Sequence, residues 1–415
     1  MNLAKTSLLT FISTTIRILS GLVINKAISI FIGPSGLAAI GQFQNALGII
    51  QTVAKGGINT GVTKYTAEYH DDPNVRSSLW STSLKLTFLC SIPLSFILVF
   101  GASYFSEYVF KTSEYNYVFV AFGFTLTLFS VNQLLLSILN GLKEIRTFIS
   151  INIIQSIYSL ILTTILIVFF QLDGALIAMV TNQSVIFLIV LWKLRKHQTI
   201  IIDNFKKKFD RNESKKLLNY SLMTLVSAFT VPVSLMIVRE YIGETLSWDA
   251  AGYWQAMTYI SSMYLMVVTT ALSTYYLPRL SEITEKFELR KELKQGYMIL
   301  IPIVVVLALV LYVLKDFIIW ALFTDDFQAM RDLFKWQLIG DLFKITAWLI
   351  AYLMLAKAMT KIFIITEILF SLSFVFLSLF AVDNFGLIGV TYAYAFNYLL
   401  YLMAMVILMK KHIFD

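Results

Sequence analysis

Four cationic side chains, Arg17, Lys26, Lys55 and Lys64, lie in the first two apolar stretches of a chain that otherwise keeps charge out of such stretches. A cation placed in hydrocarbon costs roughly 2.5 to 3.5 kcal/mol on insertion scales, so these residues are expected to face a bundle interior or a wet cavity. Four of them close together predict a cavity that receives something anionic. Arg17 and Lys26 are nine residues apart and fall on opposite sides of a straight helix. Both reach one cavity only if the helix bends, and Ser20-Gly21 is the place for it. Otherwise Arg17 faces the ligand and Lys26 snorkels. Lys64, near the end of the second stretch, either snorkels or flanks an entrance.

Uncharged polar residues extend the pattern. Gln44, Gly48, Gln51, Lys55 and Asn59 fall within a sector of roughly 80° on one helix face, a stripe that lipid would not tolerate. Gln255, Thr258, Ser262, Thr269 and Ser273 repeat it in the second half. Each stripe lines water or serves as polar glue between helices. Gln337, Asp341, Lys344 and Trp348 share another face. Asp341 and Lys344 there form either a structural ion pair or a switchable one, in which Asp341 takes a proton or Lys344 turns to an anionic ligand. Glu367 either titrates within the membrane or pairs with Lys361, and Arg239-Glu240 reads as an ion pair at a helix rim. The candidate binding residues are therefore Arg17, Lys26, Gln44, Gln51, Lys55, Asn59, Lys64, Gln255 and Lys344, with Asp341 and Glu367 as candidates for proton coupling.

Other chemistries find no residues. The three histidines (His70, His197, His412) lie in loops or at the tail and Cys90 is the single cysteine, so no metal site, redox role or intrachain disulfide is expected. No GxxxxGK[ST] loop, catalytic constellation or cofactor motif is present.

The elements that position these residues are membrane spans. The 415 residues are 58% hydrophobic and 14% charged, far from soluble-domain composition. Twelve stretches long enough to cross a bilayer are expected at 6–32, 38–69, 79–103, 117–140, 147–170, 174–193, 217–240, 249–276, 296–320, 332–356, 361–381 and 386–409. The first is too long for a signal-peptide core and should remain as a helix. The fold class is all-α and polytopic. The net charge of +8 sets orientation and does not signal nucleic acid. With the amino terminus in the cytoplasm, Lys5, Arg76, Lys143, Arg146, the basic runs in 193–216 and 279–294, Lys357, Lys361, Lys410 and Lys411 all fall on the cytoplasmic side. Only Lys111, Arg239, Lys315, Arg331 and Lys335 fall opposite, so the positive-inside rule puts both termini in the cytoplasm.

The hydrophilic segment 194–216 divides the chain into two six-helix lobes, 1–193 and 217–415, joined by a basic cytoplasmic linker that sets topology and meets lipid headgroups. A shift of 211 lays GQFQ (41–44) on GYWQ (252–255), and a shift of 215 lays Arg146, Phe148 and Asn152 on Lys361, Phe363 and Glu367. Six helices per half keep both halves in one orientation, which predicts a pseudo-two-fold axis normal to the membrane and a site between halves.

The segments IGPSGLAAIGQFQN (32–45), GVTKYTAEYHDDP (61–73), WDAAGYWQ (248–255), YYLPRLSEITEK (275–286) and AMRDLFKWQLIGDLFK (329–344) resemble the Wzx-type flippases. These include O-antigen translocases and the lipid III flippases of enterobacterial common antigen, within the multidrug/oligosaccharidyl-lipid/polysaccharide exporter superfamily. The resemblance spans essentially the whole chain. It implies two six-helix lobes in a V, alternating access, and a bacterial inner-membrane location. It also implies an undecaprenyl-pyrophosphate-linked oligosaccharide as cargo, a cationic central cavity that Arg17, Lys26, Lys55 and Lys64 fit, and contact with a glycan polymerase as a possible partnership. The competing reading is a multidrug-type small-molecule exporter on the same fold, whose cavity for cationic drugs should favour carboxylates over cations.

Overall fold

The computed structural model describes residues 3–413 apart from 196, 198, 284 and 358. Side chains are described for residues 12–410 apart from these and from 219, 220, 271, 273, 274, 277, 278 and 282. Lys5, Lys411 and His412, with Ser273 of the second stripe, thus lie outside the described side chains.

Among the described residues the chain is helical and contains no strand. The helices are α1 (Leu3–Phe31), α2 (Gly33–Ala54), α3 (Asn59–Glu68), α4 (Pro73–Phe100), α5 (Ala102–Phe110), α6 (Asn116–Gly141), α7 (Ile145–Leu194) and α8 (Arg211–Thr245). They continue as α9 (Trp248–Ala271), α10 (Leu277–Glu282), α11 (Lys286–Val313), α12 (Lys315–Leu322), α13 (Phe334–Ala356), α14 (Thr360–Phe385) and α15 (Leu387–Ile413). Nine helical segments among the described residues are long and apolar enough to cross a bilayer. In hydrocarbon every backbone N–H and C=O must find a partner inside the protein, which a helix provides. This is a multi-pass membrane protein.

The expected stretches fall largely on helix, with local breaks within and between them. The 50 residues of α7 would run about 75 Å as one rod, far beyond a bilayer of about 30 Å. The chain turns back at Gln171 (φ 48°, ψ −123°). A Cβ on Gly174 would lie 2.0 Å from the Leu166 carbonyl oxygen, a contact that an unbroken helix could not make. Asn182 Nδ2 donates to Ser159 Oγ at 2.9 Å and Thr163 Oγ1 at 3.0 Å and staples the two limbs. The same close approach recurs where α14 turns into α15, with a Cβ on Gly389 lying 2.0 Å from the Ala381 carbonyl oxygen. Gly174 and Gly389 are 215 residues apart, the spacing that aligns Arg146 with Lys361.

The second stretch breaks more sharply than a bend. α2 stops at Ala54, Gly56 and Gly57 take φ of 63° and 64°, and α3 restarts at Asn59. Positive φ is cheap only for glycine. Ser221 Oγ donates to the Gly56 carbonyl at 2.7 Å, and a Cβ on Gly57 would meet the Ser221 backbone at 3.2 Å. A π-helical turn, Leu272–Tyr276, separates α9 from α10. α1, in contrast, runs uninterrupted through Ser20-Gly21. Arg17 and Lys26 therefore stay on different faces of one helix, Arg17 exposed and Lys26 half-buried.

The chain forms two compact units, Met1–Ile32 with Gln42–Phe229 and Gly33–Gly41 with Thr230–Asp415. The boundary between them falls inside α8, and the first turns of α2 belong with the second unit. In the first unit Trp80, Leu139, Ile151, Ile186 and Leu217 form the core, and Trp80 Nε1 donates to Thr66 Oγ1 at 3.0 Å. The basic segment is bound to this unit. Ser77 Oγ donates to Asn204 Oδ1 at 3.0 Å, Ser81 Oγ to the Phe205 carbonyl at 2.9 Å, and Phe205 stacks on Trp80. In the second unit the core lies where α13 and α15 pack, around Ile345, Leu349, Met354 and Met405.

Candidate functional site

In the first unit the break after α2 presents Lys55. The side chain is half-buried and its Nζ lies 5.6 Å from the Phe129 ring centroid on α6. Toward the start of α2 the stripe is open, with Gln44 exposed, Gln51 half-buried, and no atom within 4 Å of where a Gly48 Cβ would sit. Past the break it is engaged. Asn59 Nδ2 donates to the Gln133 carbonyl at 3.1 Å and to Ser137 Oγ at 2.9 Å. Asn59 thus holds α3 to α6. Lys64 is exposed over the Tyr65 ring at 5.0 Å, beside Lys216, which lies over Tyr65 and Tyr69 and pairs with Glu213 at 2.7 Å. Arg17 and Lys26 sit on α1, which packs along α7.

In the second unit two of the quoted motifs meet. Ser247 caps α9 by accepting from the Ala250 N–H, and Asp249 accepts from the Ser35 N–H at 3.1 Å in the first turn of α2. An anion suits that positive helix end. Gly252 makes room for the Pro34 carbonyl and Gly41 for the Gln255 side chain. Gln255 Oε1 in turn accepts from Arg239 Nη2 at 2.6 Å, and the Arg239 guanidinium lies 5.6 Å from the Trp254 centroid. Arg239 is 2% exposed, so it sits in the core and not at a helix rim. Its partner Gln255, expected to bind ligand, is committed to holding it.

The face carrying Gln337, Asp341, Lys344 and Trp348 on α13 borders a cavity of about 340 Å³. Asp341 is fully buried and acts as the acceptor for three hydroxyls from other helices. Ser261 Oγ lies 2.7 Å from both carboxylate oxygens, Tyr264 Oη 2.8 Å from Oδ2, and Tyr394 Oη 2.8 Å from Oδ1. Lys344 lies over the rings of Trp348, Tyr398 and Tyr394 at 4.9, 5.3 and 5.8 Å. Desolvated cation–π contacts are worth about 2 kcal/mol or more. Glu367, half-buried on α14, lines the same cavity, as do Gln337 and Asn397. The structure therefore brings Asp341, Lys344 and Glu367 together, and Gln255 lies apart from them under Arg239.

Comparison with known proteins fixes what kind of molecule carries these sites. The model of a family described as polysaccharide biosynthesis protein matches residues 3–284. The chain belongs to that family. Among members of curated function it is 30% identical over 404 residues to the lipid III flippase of Escherichia coli (strain K12), covering 97% of this chain and 96% of that protein. The lipid III flippase of Shigella flexneri matches to the same extent. Among solved structures, a MATE-family multidrug resistance transporter of the MOP superfamily, in its inward-facing conformation, superposes with a TM-score of 0.79 at 14% identity, over 96% of this chain and 94% of that one. A MOP-superfamily transporter from Pyrococcus furiosus, described as having a binding pocket of reverse polarity, gives 0.76 at 14% identity, over 99% and 95%. At such identities the likeness carries the fold alone, and the fold of this family member is that of the MOP transporters.

Three features escaped the sequence reading. The hydroxyl partners of Asp341 come from α9 and α15, so only Lys344, three residues away, was visible as a partner. Asn397 carried no periodic signal, standing in an aromatic run, TYAYAFNY. Arg239 was misplaced because its nearness to a predicted span end outweighed the aromatic and amide residues at 254 and 255 that receive it.

Proposed function

We propose that this chain is a flippase that carries an undecaprenyl-pyrophosphate-linked oligosaccharide from the cytoplasmic to the periplasmic leaflet of a bacterial inner membrane, by alternating access between two six-helix lobes. The observation that carries this reading is the 30% identity to lipid III flippases over 97% of the chain. It is a transport reading and assigns no catalytic residue.

The physical chemistry supports it. A pyrophosphate cannot enter hydrocarbon unaided, and Lys or Arg in a wet cavity replaces its hydration. Arg17, Lys26, Lys55 and Lys64 are the proposed cationic set, with Lys55 central because it stands at the break of α2 beside the open stripe of Gln44, Gly48 and Gln51. The prenyl tail stays in lipid. An inside-negative potential favours outward movement of the anion by about 2.3 kcal/mol per charge per 100 mV, so proton coupling is permitted without being required. Asp341 and Glu367 are its proposed carriers. The same reading takes the two limbs of α7 as two crossings, places both termini in the cytoplasm, and leaves room for a glycan polymerase as partner.

Complementation tests it. In a strain lacking its lipid III flippase, the wild-type chain is expected to restore glycan assembly, and Arg17→Ala or Lys55→Ala at matched membrane abundance to lose it. Full rescue by both variants would reduce the cations to a structural role, and no rescue by wild type would remove lipid III as the cargo.

A further inference from the structure

A lysine inside a membrane span normally pairs with a carboxylate or with backbone carbonyls. Lys344 is held differently. Asp341, one turn earlier on α13, is taken by the hydroxyls of Ser261, Tyr264 and Tyr394. The Lys344 ammonium sits instead against three ring faces. Trp348, one turn further along α13, lies at 4.9 Å, and Tyr398 and Tyr394, one turn apart on α15, lie at 5.3 and 5.8 Å.

Several electron-rich faces around one cation are the arrangement by which proteins recognise organic ammonium ligands. Tyr394 strengthens the match. Its Oη donates to Asp341 Oδ1 at 2.8 Å, and a phenol polarised by a carboxylate presents a more negative ring face. The three rings and Lys344 all line the cavity of about 340 Å³, whose wall also carries the Glu367 carboxylate and the side chains of Trp254 and Phe370. Among the described residues that line it, Lys344 is the one cation.

Without that ammonium the wall would be aromatic faces with Glu367 upon it and Asp341 behind Tyr394. Such a wall suits an organic cation and carries the carboxylates that the competing exporter reading asks for. The chain fills the place itself. We propose that Lys344 is a built-in occupant of a cation-binding cage, its ammonium standing where an organic cation would sit among Trp348, Tyr394 and Tyr398, so that it bars cationic guests from the second-unit cavity. The cavity is at the small end for ligand sites, and together with the space of the lysine side chain it has room for one compact cation. Lys344 is thus a specificity-determining residue. The inference goes beyond the flippase reading, since it says what the second unit excludes whatever the cargo is.

The test compares two probes on the purified full chain in nanodiscs: choline, a quaternary ammonium, and dimethylbutanol, its uncharged carbon isostere. Wild type is expected to show no preference between them. Lys344→Ala empties the cage and should bind choline about tenfold more tightly than the isostere, the increment expected of a desolvated cation–π contact. Lys344→Arg keeps a cation in place and should behave as wild type. Trp348→Leu added to Lys344→Ala should remove most of the preference. Choline should also raise the melting temperature of Lys344→Ala and leave that of wild type unmoved. The isostere separates recognition of charge from a hole that any apolar guest would fill. A folded Lys344→Ala with no preference for choline, or a wild type that prefers it as strongly, would overturn the proposal. Failure of both Lys344→Ala and Lys344→Ser to fold would overturn it too, because the ammonium would then be part of the core and not an occupant.

Discussion

Asp341→Leu is expected to destabilise the protein by about 3 to 5 kcal/mol, the cost typical of breaking a buried charged cluster by removing one partner. The substitution leaves the Ser261, Tyr264 and Tyr394 hydroxyls without their acceptor and Lys344 without the carboxylate three residues away. These hydroxyls come from α9 and α15, so the loss loosens both helices from α13. Asp341→Asn keeps one oxygen as acceptor and the side-chain volume, and should cost about 2 kcal/mol. Thermal unfolding of the purified variants in detergent reads both values. An Asp341→Leu protein that melts with wild type would show that the carboxylate holds nothing together. The Asn variant also tests coupling. Protonation of Asp341 turns one acceptor oxygen into a donor, so one of the three hydroxyls must rotate to accept from it, and proton uptake there rearranges the bonds that join α13 to α9 and α15. Transport whose pH dependence is the same in Asp341→Asn and wild type would exclude Asp341 as the carrier.

Gly252→Ala is the second large effect. A Cβ at this position would sit 2.0 Å from the Pro34 carbonyl oxygen and 2.4 Å from its carbon, and those atoms belong to backbone that cannot swing aside as a side chain can. The start of α2 must then lift from α9, pulling the Ser35 N–H away from Asp249 and Gly41 away from Gln255, whose Arg239 partner is buried. Overpacking costs about 1 to 3 kcal/mol, and the coupled loss of these contacts puts Gly252→Ala at the upper end. Gly48→Ala is the matched control, since its Cβ would meet nothing within 4 Å and alanine favours helix by roughly 0.5 to 1 kcal/mol. Melting temperatures of the two variants should move in opposite directions. A Gly252→Ala protein as stable as wild type would mean that the approach of α2 to α9 is not tight.

What the sequence disclosed and what it hid divide along locality. Helix positions were legible because hydrophobic length is a property of consecutive residues, and Gly56-Gly57 stands in the sequence as the kind of pair that weakens any helix. Contacts between distant segments were not. WDAAGYWQ stood out as a family marker, yet its work is mechanical: Asp249 caps α2, Gly252 admits Pro34, and Trp254 with Gln255 receives Arg239. Gln255 was read as ligand-facing because stripe geometry gives the helix face and not what lies across from it. Asn59 shows the same limit, sharing the face of Gln51 and Lys55 by angle but separated from them by the glycine break and bound to α6. The cavity was half legible. Gln337, Asp341 and Lys344 shared a face on one helix, whereas Asn397 and the hydroxyls around Asp341 arrive from other segments.

The most direct measurement of the central claim is translocation by the purified chain reconstituted into proteoliposomes. The cargo is an undecaprenyl-pyrophosphate-linked oligosaccharide placed in one leaflet, and its arrival in the other is read with an impermeant lectin. The expected result is appearance well above that in protein-free vesicles, slowed about tenfold or more by Lys55→Ala at equal incorporation, as loss of a cation facing a pyrophosphate should do. Wild-type vesicles no faster than protein-free ones would contradict the flippase reading.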